Sequence, residues 1–232
     1  MLRPNKERSR RLILVLWIYT AFQVLASFSD IAQYFLLKRI ETGNFDMAEA
    51  DSNDIRQSMV AVLLLLLLVG AGIFFIQWFR RAYYNLHQLS GKLSYGEGWA
   101  SGAWFVPIMN LGRPYTIMKE MMSVSEDMLV QANIVQEDPK RKRSVGIWWT
   151  LWIVITILGD VNARIQAKSE LIEAMKYTTL ASIVLSLAYI PLTVFTVKMI
   201  KNYAELEELL PQVTANTKRE LKIDDSEILD SI

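Results

Sequence analysis

The chain has 232 residues, 52% of them hydrophobic, and a formal net charge of +1. Its lack of cysteine and its single histidine, His87, exclude disulfides, thiol nucleophiles and a zinc cluster. Without a net basic field, nucleic acid is not an expected partner.

The leader, residues 1–11, carries five Lys/Arg against one Glu. An apolar run follows and continues to Leu37, well beyond a signal-peptide core. The sequence therefore predicts an uncleaved first span over about 12–37. The loop 38–57 is acidic, with five acids against three bases. Met59–Phe79, "MVAVLLLLLLVGAGIFFIQWF", has no formal charge. As a helix it is about 31 Å long, enough to cross a hydrocarbon core. It has no polar face, so it is not a soluble core helix. Gly70 and Gly72 within it are candidates to seat a neighbouring helix. The helix is expected to continue past this span, since Ala82, Leu86 and Leu89 keep helical spacing up to the stop at Ser90-Gly91. Arg81, Asn85 and His87 would then sit just outside the bilayer, joined by Glu97 from a glycine-rich link.

Residues 98–112 hold an apolar run, Gly98–Leu111, that is too short to span, about 21 Å as a helix. The stretch Trp104–Tyr115 reads "WFVPIMNLGRPY". Pro107 and Pro114 each break a continuing helix. The expected structure is a short helix over 99–106, a break, and a new helix with Pro114 at its first position. Such a segment fits a re-entrant or interfacial element. The new helix, 114–135, is amphipathic, with Met118, Met121, Met128, Ala132 and Val135 near one face and Glu126 elsewhere. Its charges keep it from spanning, so it is expected at the cytoplasmic interface.

"KRKR" at 140–143 precedes a third span, about 145–161. Trp148, Trp149 and Trp152 suit an aromatic interface belt there. A balanced loop, 160–177, leads to a fourth span over about 177–197. Pro211 is expected to break the helix that follows, and 204–232 holds eight acids against three bases. The basic stretches place both termini in the cytoplasm, with 38–57 and 160–177 outside.

The fold class is thus an all-α integral membrane protein. It has four transmembrane helices, a re-entrant or interfacial proline-broken segment and a cytoplasmic amphipathic helix. Residues 1–203 form one transmembrane domain and 204–232 an acidic cytoplasmic tail.

"RAYYNL" at 81–86, the glycine/tryptophan turn, "WFVPIMNLGRPY" and "WWTLW" at 148–152 resemble a bacterial membrane family, the domain-of-unknown-function family 4328. The resemblance covers about residues 60–200. In the turn before Trp99 the chain reads "GEG" where the family often has proline. The resemblance implies a multi-span protein of the bacterial cytoplasmic (inner) membrane and no biochemical activity.

The candidate binding or structural cluster is Arg81, Asn85, Glu97, Trp104, Pro107, Asn110, Arg113 and Pro114. Arg113 beside an apolar segment needs a partner. It is read first as a clamp that caps freed carbonyls or pairs with Glu97 or Glu120, and second as a contact for an anion or lipid phosphate. Asp30, near the outer end of the first span, is expected to be wetted or to pair with Arg164. No P-loop, GxSxG or metal-ligand spacing is present, and no cofactor is expected. The leading functional reading is a non-enzymatic binding, scaffold or sensor subunit that contacts lipid or protein at the cytoplasmic side. The partners are then the lipid bilayer and a protein or second copy of the chain. An oligomeric channel or transporter is the alternative, and a membrane enzyme ranks third.

Overall fold

A computed structural model describes residues 2–91, 93–168 and 171–229, with side chains described as far as Val213 and at Ala215. Lys92 of the basic stretch, 169–170 of the balanced loop and 230–232 of the acidic tail lie outside the described residues. All regular structure among the described residues is helical.

The helices are α1 (Lys6–Glu41), α2 (Met47–His87), α3 (Trp99–Gly102), α4 (Arg113–Gln131), α5 (Pro139–Lys168) and α6 (Ile172–Leu229). A 3-10 turn, Met109–Leu111, precedes α4. Helices α1, α2, α5 and α6 are long and apolar enough to cross a membrane, and they contain the four expected spans. Local sequence explains their ends. After α1, Gly43 takes a left-handed φ of 71°. Its N–H bonds Ile40 and that of Asn44 bonds Arg39, so a Schellman motif satisfies the last carbonyls. Asp46 accepts the Ala48 N–H at 3.1 Å and caps α2. Asp138 does the same for α5, accepting from Lys140 at 3.0 Å, with Pro139 at the first position.

The chain divides into two compact units. The first comprises Met1–Arg10, Ile76–Gly146 and Lys198–Ile232; the second comprises Arg11–Phe75 and Ile147–Val197.

In the second unit, Thr20 and Thr193 share a hydrogen bond of 2.6 Å, and Tyr19 meets Tyr189 edge to face at 5.2 Å. The most apolar window of α2 is 6% buried, so its leucines face outward. Open space surrounds Gly70 and Gly72 where a side chain would stand, so no helix among the described residues packs closely there. Trp148 and Trp149 are buried, with Trp148 stacked on Phe75 at 5.9 Å. They belong to the packing of the unit rather than to an exposed belt. Arg164 pairs with Asp160 at 2.8 Å, one turn away, rather than with Asp30.

The first unit buries Trp78, Tyr83, Leu86, Tyr203, Leu206 and Leu210. Helix α6 runs through Pro211 without a break. A proline removes one helical hydrogen bond, and burial of Leu206 and Leu210 fixes the turns before it. Helix α4 is shorter than the amphipathic pattern indicates. Asn133 takes φ 55°, its N–H bonds Val130 and that of Ile134 bonds Leu129. This second Schellman motif stops the helix at Gln131. The buried face is Ile117, Met118, Met121, Met122, Ser125, Glu126 and Leu129. Met128 lies eleven residues beyond Ile117, about 20° from it, at the edge of that face, and is half-buried.

Candidate functional site

Of the eight candidate residues, Arg81 and Glu97 line one cavity in the first unit. Its volume is about 340 Å³, and Arg3, Arg8, Arg80 and Tyr84 also line it. Helix α2 places Arg80 and Arg81 immediately after the apolar run that ends at Phe79. The leader supplies Arg3 and Arg8. Four guanidiniums thus face a cavity with Glu97 as the one acid among its lining residues.

Those cations are weakly neutralised. Arg80 is 3.9 Å from Glu97, and both side chains are exposed. Arg8 donates to the Gln77 carbonyl at 3.0 Å, and Arg3 lies 4.2 Å over the Tyr84 ring. Burial lowers the Arg81 pKa below the usual arginine value, and repulsion from Arg8 and then Arg3 adds to it.

Asn85 belongs to a hub that holds the leader in place. It accepts the Arg3 N–H and donates to the Arg3 carbonyl, both at 2.8 Å. It also donates to Glu207 Oε1 at 2.7 Å. Asn5 donates to Glu207 Oε2 at 3.0 Å and to the Trp78 carbonyl at 3.3 Å. Burial raises the Glu207 pKa above the usual carboxylate value; the hydrogen bonds from Asn5 and Asn85 partly offset this.

Trp104, Pro107, Asn110, Arg113 and Pro114 belong to a separate arm. Helix α3 ends at Gly102 rather than at Val106. Beyond it, Trp104 meets Phe79 edge to face at 6.2 Å. Ile108 takes φ 68° and ψ −45°, and the Met109 N–H bonds the Pro107 carbonyl at 2.8 Å. This is a classic γ-turn, a rare and strained form, here centred on a β-branched residue. The turn leaves Phe105 75%, Ile108 84% and Leu111 51% exposed. Asn110 is half-buried in the 3-10 turn. Pro114 is buried at the second position of α4, one residue later than expected.

Arg113 does not pair with Glu97 or Glu120. Its guanidinium lies 3.8 Å over Trp99 and 4.9 Å from the Tyr95 ring centre. Its Nη1 has no hydrogen-bond partner among the described residues. Glu120 instead accepts from the Tyr83 hydroxyl at 2.9 Å and the Ser94 N–H at 2.7 Å. Burial, then Glu120, holds the Tyr83 phenol above its ordinary pKa.

Glu126, which the amphipathic pattern places away from the apolar face, is fully buried. It accepts from Arg141 at 2.8 Å and from the Asp138 N–H at 2.9 Å. Charge counting over the leader and "KRKR" predicts orientation and does not reveal these specific partners. His87 stacks edge-on to Tyr83 at 4.7 Å, and its Nε2 has no hydrogen-bond partner among the described residues. Among the described residues no three His, Asp or Glu side chains form a metal site.

The geometry therefore offers anion recognition by arginine donors on one side and an exposed apolar turn on the other. Neither the curated proteins nor the solved structures gave a match. The model of the DUF4328 family, described as a domain of unknown function, matches residues 41–205, more than half of the chain, and the chain belongs to that family.

Proposed function

We propose that the protein is a non-enzymatic, multi-pass membrane protein that binds the phosphate of an anionic lipid headgroup in the arginine cavity. The observation that carries this reading is the set of four guanidiniums, Arg3, Arg8, Arg80 and Arg81, facing one cavity with a single lining carboxylate. Arginine binds phosphate bidentately and remains charged when partly desolvated. A cavity of about 340 Å³ is of ligand-binding size. Arg80 and Arg81 directly follow the apolar run, at the depth where cations meet headgroups.

The positive-inside pattern supports a cytoplasmic location for this unit and both termini. The turn at 105–111 supports an interfacial element dipping into the acyl region. Its exposed side chains are apolar, and Trp104 at its root rests on Phe79, the last residue of the apolar run. Together these make a lipid-anchored scaffold or sensor rather than a pore.

The test is thermal unfolding of the full chain in nanodiscs of phosphatidylglycerol or of phosphatidylcholine. The anionic lipid should stabilise the wild type, and the Arg8→Gln/Arg81→Gln double variant should lose that difference while matching the wild type in phosphatidylcholine. Equal unfolding temperatures for the wild type in the two lipids would reject the reading.

A further inference from the structure

A second cavity lies in the second unit, among helices α1, α2, α5 and α6, with a volume of about 600 Å³. Its polar lining includes Gln23, Asp30, Gln33, Gln57, Asn162 and Tyr189, and no lysine or arginine lines it. Polar side chains are costly in spans and mark sites.

The hydrogen bonds show which polar atoms remain open. Asn162 Nδ2 donates to the Thr178 carbonyl at 3.2 Å and to Ser182 Oγ at 2.9 Å. Gln57 Nε2 donates to the Ser29 carbonyl at 3.3 Å. Carbonyls only accept, so these two amide orientations follow from chemistry. Gln33 Nε2 donates to Thr179 at 3.2 Å, and Gln23 Nε2 to the Tyr19 hydroxyl at 2.7 Å. Asn162 thus commits both N–H donors to the protein and Gln23, Gln33 and Gln57 at least one each, while none of these four amide oxygens accepts a hydrogen bond among the described residues; Gln166 also lines the cavity. Asp30 adds a carboxylate with no ion pair within 4 Å among the described residues; the Gln57 amide and the charge of Arg56 are its nearest partners. The nearby Arg56 directs its donors to Ser29 and Asn53.

A lining of amide oxygens, one carboxylate and an aromatic ring calls for a ligand that is cationic and donates hydrogen bonds. We propose that this cavity binds an ammonium group, held by Asp30 and the amide oxygens against the Tyr189 ring. Carboxylate, carbonyl and aromatic groups are the elements of ammonium recognition. Gln57 and Ser58 directly precede the apolar run at Met59, and Asn162 follows the one ending at Val161. The cavity therefore runs from the ends of the spans, within reach of water and headgroups, toward their middle at Gln23 and Tyr189. The ammonium is that of a free amine or of a phosphatidylethanolamine headgroup.

The experiment follows thermal unfolding of the full chain in nanodiscs of phosphatidylglycerol, with and without phosphatidylethanolamine. The added probe is methylammonium chloride, compared with equal sodium chloride. Methylammonium should raise the unfolding temperature of the wild type in phosphatidylglycerol, with apparent affinity reduced about tenfold or more in Asp30→Asn. Gln57→Leu should reduce it about threefold and serves if Asp30→Asn misfolds. A shift that persists with phosphatidylethanolamine identifies a free amine. Stabilisation by phosphatidylethanolamine itself, with no further methylammonium shift, identifies the headgroup. A response equal to that of sodium, a response unchanged in both variants, or no response to either ammonium source overturns the proposal. The Arg8→Gln/Arg81→Gln variant retains the ammonium response, which separates this site from the arginine cavity.

Discussion

In the first unit the cavity is walled by guanidinium donors, and the acids nearby are already engaged: Glu207 by two asparagines, Glu97 by Arg80. In the second unit the cavity is lined by side-chain amides and Asp30, and Asn162 and Gln57 direct N–H donors to the protein. The difference lies in sign: four arginines and one glutamate line the first, one aspartate and no lysine or arginine the second, as the two proposals require. Composition cannot reveal this, because a net charge of +1 averages over both.

The comparison breaks most severely if the frame of the first unit is removed. Glu126→Ala leaves Arg141 without its buried partner and should destabilise the protein by about 3 kcal/mol. Hydrogen exchange should then rise at 113–146 and stay unchanged at 11–75, and uniform loosening would argue against separate frames. Asn85→Ala removes three hydrogen bonds that hold the leader and should cost about 2 kcal/mol. Because it frees Arg3, it should also weaken the response to phosphatidylglycerol in nanodisc unfolding while leaving the methylammonium response intact. Ile108→Gly should stabilise the protein by about 1 kcal/mol in detergent, since glycine accepts φ 68° without strain. The same change should reduce quenching of Trp104 by brominated lipid, and unchanged quenching would argue against an inserted turn.

The smallest effect sharpens the electrostatics. The Glu207 pKa is raised in the folded chain, so the folded state holds its proton to higher pH than the unfolded state. Its contribution to stability is full below the ordinary glutamate pKa and is lost as pH rises through the raised value. Glu207→Gln should flatten that part of the stability profile, and an identical profile would show that Glu207 is not responsible.

The four spans were legible because 59–79 and 177–197 are uncharged and 12–37 and 145–161 carry one acid each, near an end. A break before α4 was legible from the prolines, although α3 already stops at Gly102, and the same rule failed at Pro211, where α6 continues. The α4 stop was missed because Asn133, unlike glycine, only occasionally signals a left-handed cap. Arg3, Arg8 and Glu207 escaped notice because they meet α2 from both ends of the chain, through contacts more than 60 residues apart. The partner of Arg113 was misjudged for a related reason. Charge complementarity pointed to Glu97 and Glu120, whereas the fold set the guanidinium on Trp99 and Tyr95.

The central claim is that the arginine cavity holds an anionic headgroup, and lipid retention in native mass spectrometry tests it most directly. Wild-type protein released from nanodiscs of equal phosphatidylglycerol and phosphatidylcholine should retain phosphatidylglycerol preferentially. Arg8→Gln/Arg81→Gln should retain the two lipids equally, whereas Asp30→Asn should keep the wild-type preference. Equal retention by the wild type, or an undiminished preference in the double variant, would contradict the account.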